Sequence, residues 1–191
     1  MKHGPRLAAN GFSIIEVMVA LVVITVGLLG IAKMQGLALA SIGTARLRSL
    51  AAIEAASLAS AMHANRAYWS TVIFTTPIQV SGSSMTTSDA NLTSALSTVA
   101  AAGTDYCTTG AGAPCAPVTL AATDLQDWAT DLTAMLPNSS AAITCPNTST
   151  PLTCTIQISW SEKAVAINQQ GTNTTGANAF QVPTYKVYVQ P

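Results

Sequence analysis

Apolar residues run almost unbroken from Phe12 to Ala32, with Glu16 the single charge among them. At about 1.5 Å of rise per residue the stretch makes a helix of roughly 31 Å, which matches the roughly 30 Å hydrocarbon layer of a bilayer. Beyond it the pattern changes from continuous to periodic. Leu47, Ala51, Ala55, Leu58 and Met62 recur every three or four residues, while Arg46, Arg48, Glu54 and Arg66 fall off that row. No proline interrupts Phe12 to Ala67, so both patterns read as one helix of about 54 residues, roughly 80 Å long. Its first half suits a membrane or filament core, and the stripe from Leu47 suits the underside of a globular head.

Further along, Ser88 or Asp89 is placed to cap a short helix that turns Leu92, Leu96 and Val99 inward, and Pro77, Gly82 and Ser83-Ser84 mark a surface loop before it. A stronger helical pattern runs from about Asp124 to Leu136, with Leu125, Trp128, Leu132 and Met135 on one face and Pro137 ending it. Ala141 to Cys145, Cys154 to Trp160 and Tyr185 to Val189 alternate as strands do. The fold class expected is α+β: a long N-terminal helix, half membrane-spanning and half packed on a head, against a small antiparallel sheet. The organisation expected is a leader over 1–11, a transmembrane or filament-core helix over 12–32, its continuation over 33–66, and an extracytoplasmic head over 67–191.

The leader carries Lys2 and Arg6 and no acid, which by the positive-inside rule keeps the amino end cytoplasmic and sends the head outward. Residues resembling a processing site, Asn10 and Gly11, precede the apolar run instead of following it as in a secretory signal. Cleavage there keeps the hydrophobic helix and makes Phe12 the new terminus. A carboxylate inside a spanning helix costs about 2.5 to 3.5 kcal/mol on insertion scales and marks a functional pairing. The α-amine of Phe12, four residues from Glu16, supplies the cation, within one chain or between neighbours in a helix bundle.

Gly11-Phe12-Ser13-Ile14-Ile15-Glu16-Val17 resembles the type III signal, the prepilin processing motif of type IV pilins and type II secretion pseudopilins. The resemblance implies cleavage between Gly11 and Phe12 and N-methylation of Phe12 by a prepilin peptidase. It also implies Glu16-dependent assembly with other minor and major pilins on a pilus assembly platform in the bacterial inner membrane, whose lipid surrounds the helix, followed by incorporation into a surface pilus. Gly27-Leu28-Leu29-Gly30, Met62-His63-Ala64-Asn65-Arg66, Tyr106-Cys107, Asp127-Trp128, Leu136-Pro137 and Ile158-Ser159-Trp160-Ser161-Glu162 are similar, in that order, to one branch, the PilV type IV pilus modification proteins, which are minor pilins. Where many major pilins carry a helix-kinking proline, this chain has Lys33; Gly27, Gly30 and Gly36 are weak points of the helix or places for close helix packing.

Cys107, Cys115, Cys145 and Cys154 all fall in the segment expected outside the cytoplasm, where disulfides form. Three pairings are open; the sequential one, Cys107 with Cys115 and Cys145 with Cys154, is preferred because it closes two short loops. The spacings are not those of a zinc clasp. Asp124, Asp127 and Asp131 share a helical face, and their expected role is to favour the helix dipole from its first turn, not to hold calcium. His63 is expected near a helix end, and no nucleophile, base and orienting group assemble into a catalytic set. No cofactor, metal or enzymatic activity is expected. Trp128 and Trp160 sit in periodic apolar patterns that favour the core over an exposed binding platform.

Eight basic and eight acidic residues cancel, and losing Lys2 and Arg6 leaves the mature chain slightly acidic, so no nucleic-acid partner is expected. Charged residues make up only 8% of the chain, low for a free soluble monomer and consistent with burial in lipid or an assembly. The function expected is that of a minor pilin in pilus assembly or initiation. The alternatives are a minor pseudopilin of a type II secretion system, and a pilus-displayed adhesin or DNA-uptake subunit.

Overall fold

The computed structural model describes residues 13–72, 76–102, 106–107, 115–146, 151–163 and 180–191. The expected leader, residues 1–11 with Gly11 at its end, and Phe12 after it lie outside the described residues. The chain divides into two compact units, Met1–Ile42 and Gly43–Pro191.

In the first unit the described backbone belongs to helix α1, Ile14–Ala64, which continues into the second. Every large apolar side chain of α1 from Ile14 to Ile42 is exposed. This length is apolar enough to cross a membrane.

In the second unit α1 turns Ala51, Ala55, Leu58 and Met62 inward. The row read from periodicity is therefore the packed row. Glu54, expected off that row, is buried with it: one turn before Leu58, it lies on the flank of the same face. The helix stops at Ala64, short of the continuation to Arg66 or beyond that the missing proline suggested. Asn65 leaves helical geometry with φ −113° and ψ 54°, and α2, Arg66–Trp69, follows. The Asn65 side-chain amide donates to the Pro117 carbonyl at 2.7 Å, a long-range contact that competes with continuation of the helix.

Strands β1 (Ile78–Ser81) and β2 (Ser84–Thr86) form a hairpin where a surface loop was expected. Gly82 opens its two-residue turn with φ +60°, a conformation that glycine adopts without steric penalty. Then come helix α3, Ala90–Ala102, and helix α4, Pro117–Met135. Helix α4 begins seven residues before the expected Asp124. Proline at its first turn loses no hydrogen bond, and Ala121, Ala122 and Leu125 are buried together. Its capping position is Ala116, without a side-chain cap, so the usual start signal is missing. At the far end Met135 is 45% exposed and Leu136 takes the core position instead. The extended conformation of Leu136 turns its side chain off the helical face.

Strands β3 (Ser140–Thr144), β4 (Cys154–Ser159) and β7 (Thr184–Val189) complete a five-stranded antiparallel sheet in the order β2-β1-β3-β4-β7. The short strands β5 (Glu162–Lys163) and β6 (Phe180–Gln181) pair separately. Across the main sheet Ile78, Ile143, Ile156 and Val187 stand in register, as do Val80, Ala141, Ile158 and Tyr185. These two rows, with Leu92, Leu96 and Val99 of α3, Leu125, Trp128 and Leu132 of α4, and the apolar stripe of α1, form one core. The layout is the expected α+β one, a long N-terminal helix packed against a small antiparallel sheet.

Candidate assembly site

Glu16 stands in the first turn of α1. The backbone amides of Glu16 and Val17 both donate to the Ser13 carbonyl, at 3.0 and 3.3 Å, so the helix is closed at its start. Spacings of four, three and four residues put Ala20, Val23 and Gly27 on the Glu16 side of the helix, with Gly30 one turn beyond. A Cβ on Gly27, Gly30, Gly36 or Gly43 meets nothing within 4 Å. Nothing within the chain's described residues requires glycine there, whereas small residues on a lipid-buried helix let another helix approach closely. Thr25 donates its hydroxyl to the Val22 carbonyl at 2.8 Å, which satisfies its polarity within the apolar run. Glu16 is then the one charged group on α1 before Lys33.

Cys107 is joined to Cys115 and Cys145 to Cys154, the sequential pairing. The second disulfide is fully buried and links the ends of β3 and β4. The Cys107 sulfur lies 3.2 Å from the Thr123 hydroxyl, which holds its segment against α4.

The Trp128 indole donates to the Glu54 carbonyl oxygen at 2.9 Å and fixes α4 on α1 within the head. Burial, and secondarily the nearby Asp131 carboxylate, push the Glu54 acid above its ordinary value of 4.5. Burial and Asp127 likewise raise Asp124. Because α4 starts at Pro117, these acids lie well inside the helix, and the expected first-turn stabilisation does not apply. No group of three or more metal-binding side chains occurs among the described residues.

Two contacts were not foreseen. Arg48, 63% exposed, donates to Glu162 at 2.9 Å, and the Glu162 side chain is only 3% exposed. The partners stand 114 positions apart, so no local pattern links them. In the second, Tyr68 donates its hydroxyl to one Asp89 oxygen at 2.8 Å while the other accepts the backbone amides of Asn91 and Leu92, at 2.8 and 3.3 Å. Asp89 thus caps α3, as its position suggested. Burial, then the hydrogen bond and charge of Asp89, raise the Tyr68 phenol above its ordinary value. Trp69, Trp128 and Trp160 are all buried and form no exposed aromatic platform. His63 is exposed in the last turn of α1.

Residues 6–32 match the family described as the prokaryotic N-terminal methylation motif. No curated protein and no solved structure matches the chain. The matched segment covers Arg6, Gly11, Phe12, Glu16 and the apolar run to Ala32, and it is a type IV prepilin-like signal. That signal indicates a type IV pilin-like or pseudopilin protein, and it implies processing by a peptidase and assembly with other pilins.

Proposed function

We propose that the chain is a minor pilin of a type IV pilus, of the PilV kind, and that it acts in pilus assembly or initiation as a structural subunit, not an enzyme. A prepilin peptidase cleaves between Gly11 and Phe12 and methylates the Phe12 amine. The processed protein rests in the inner membrane with its head in the periplasm until the assembly platform passes it to neighbouring pilins. The observation that carries this reading is the exposed apolar length of α1 from Ile14 to Ile42, with Glu16 its single acid and with the methylation motif spanning its first half. An amine at position 12 neutralises that acid, and a bundle of like helices covers the apolar surface.

Photo-cross-linkers placed at Val23 on the Glu16 side of α1 test the assignment in cells. The expected products join this chain to pilus subunits, and only in cells with an active prepilin peptidase. Gly11→Leu should abolish them and leave the leader attached, visible by intact mass. Cross-links confined to type II secretion components would overturn the pilus assignment, and a processed Gly11→Leu product would overturn the cleavage site.

A further inference from the structure

The two disulfides of the head differ in what surrounds them. Cys145 and Cys154 are both 0% exposed and stand at the paired ends of β3 and β4, next to the Thr144 and Thr155 pair. A thiol reaches them only if the strands part. Cys107 and Cys115 are only half-buried. Access is one condition for thiol–disulfide exchange, and a sulfur able to depart with negative charge is the other.

The second condition separates Cys107 from Cys115. The Thr123 hydroxyl donates to the Thr119 carbonyl at 3.0 Å, so its single proton is committed. The Cys107 sulfur, 3.2 Å from that hydroxyl and without a proton of its own in the disulfide, therefore meets oxygen lone pairs. A thiolate formed there would be set against them. Cys115 stands directly before Ala116, the cap position of α4, and no side chain caps the first amides of that 19-residue helix. The start of a helix carries partial positive charge and favours a nearby thiolate. Negative charge is better placed on Cys115 than on Cys107.

We infer that Cys107–Cys115 is a thiol-exchange site that accepts a low-molecular-weight thiol on Cys107. The incoming thiolate attacks the Cys107 Sγ; a new S–S bond forms as the Cys107–Cys115 bond breaks, and the electron pair of the broken bond leaves on the Cys115 Sγ. One disulfide replaces another and one thiolate replaces another, so no further oxidant or reductant enters. Half-burial of the pair suits a small thiol, and the buried Cys145–Cys154 bond keeps β3 and β4 joined throughout. The inference concerns the head alone and stands independently of the pilus assignment.

The test exposes the full processed chain, folded in detergent micelles, to 2-mercaptoethanol at about pH 8, where part of the thiol is ionised. Samples are quenched with N-ethylmaleimide at intervals and both disulfides are followed by peptide mass spectrometry. Cys107–Cys115 should open at least tenfold faster than Cys145–Cys154. The earliest trapped product should carry mercaptoethanol on Cys107 and maleimide on Cys115, at least fivefold over the reverse arrangement. In denaturing guanidinium chloride both preferences should vanish, because burial, Thr123 and the start of α4 no longer surround the sulfurs. The inference is overturned by equal opening of the two disulfides in the folded chain, by an adduct mainly on Cys115, or by preferences that persist unchanged in the denaturant.

Discussion

At the scale of single residues, Glu54 is the least expected feature of the head. It is a carboxylate buried on the packed side of α1, with Asp131 near it as a second acid. A folded-state value raised above the ordinary 4.5 means that, between the two values, the folded chain binds the proton that the unfolded chain has lost. Folding stability contributed by this group therefore falls as pH rises through that window, and the penalty persists above it. Glu54→Gln removes the charge and keeps the shape. Thermal unfolding of the processed protein should show the variant more stable than the parent at pH 7, by a margin that shrinks as pH falls and closes below about 4.5, where both states of the parent are protonated. A constant margin across pH would show that glutamine acts through packing instead. Position 54 could not be read as buried from the spacing of apolar residues, because burial of a charged side chain on the flank of a stripe depends on which helix lies across it, here α4 through Trp128.

Among the elements, the pair β3 and β4 carries the clearest energetic claim. Their strands alternate without exception between core and outer face, and the Cys145–Cys154 bond closes the loop between them. Replacing both cysteines by alanine should cost about 2–4 kcal/mol, chiefly by releasing the unfolded chain from a closed loop. Chemical denaturation of the processed protein measures it, and a loss well below about 1 kcal/mol would mean that the strand register holds the loop unaided. The same strands show why part of the fold was legible: Ile156, Ile158 and Trp160 alternate with polar residues, and a period of two has one structural meaning over such a length. Helix α3 was legible for a similar reason, with Asp89 at its cap and Leu92, Leu96 and Val99 inward. The β1–β2 hairpin leaves only a loop signal in the sequence because each strand is too short to establish a period, although Ile78 and Val80 flank Gln79 in the right order and Gly82-Ser83 is a hairpin turn sequence. The first turns of α4 leave no start signal because Ala116 has no capping side chain, and Asn65 ends α1 through a partner at Pro117 that only the folded chain brings near. Arg48 and Glu162 meet on the same terms: tertiary pairing between distant charges leaves no local trace.

For the whole molecule the two halves of α1 obey different rules, and that contrast gives the most demanding test. In the head half, apolar residues follow a helical period because one face packs on protein and the other meets water. From Ile14 to Ile42 apolar residues surround the helix, as they do where lipid or other helices lie on every side. Glu16 is the exception, and it stands out in the sequence as a candidate because an acid in such a run calls for a partner. Glu16→Ala removes a cost of about 2.5–3.5 kcal/mol from membrane insertion, so the variant should enter the membrane at least as well as the parent and retain its cleavage between Gly11 and Phe12. If the acid serves only the single chain, nothing further should change. If it answers the Phe12 amine of a neighbouring subunit, as proposed, the processed variant should accumulate in the inner membrane and be lost from sheared surface filaments by at least tenfold. Immunoblots of membrane and sheared fractions, with intact mass to confirm processing, distinguish these outcomes. Normal entry of the processed variant into filaments would remove Glu16 from the assembly mechanism, whereas failure of insertion would contradict the physical basis on which the helix is read as membrane-embedded.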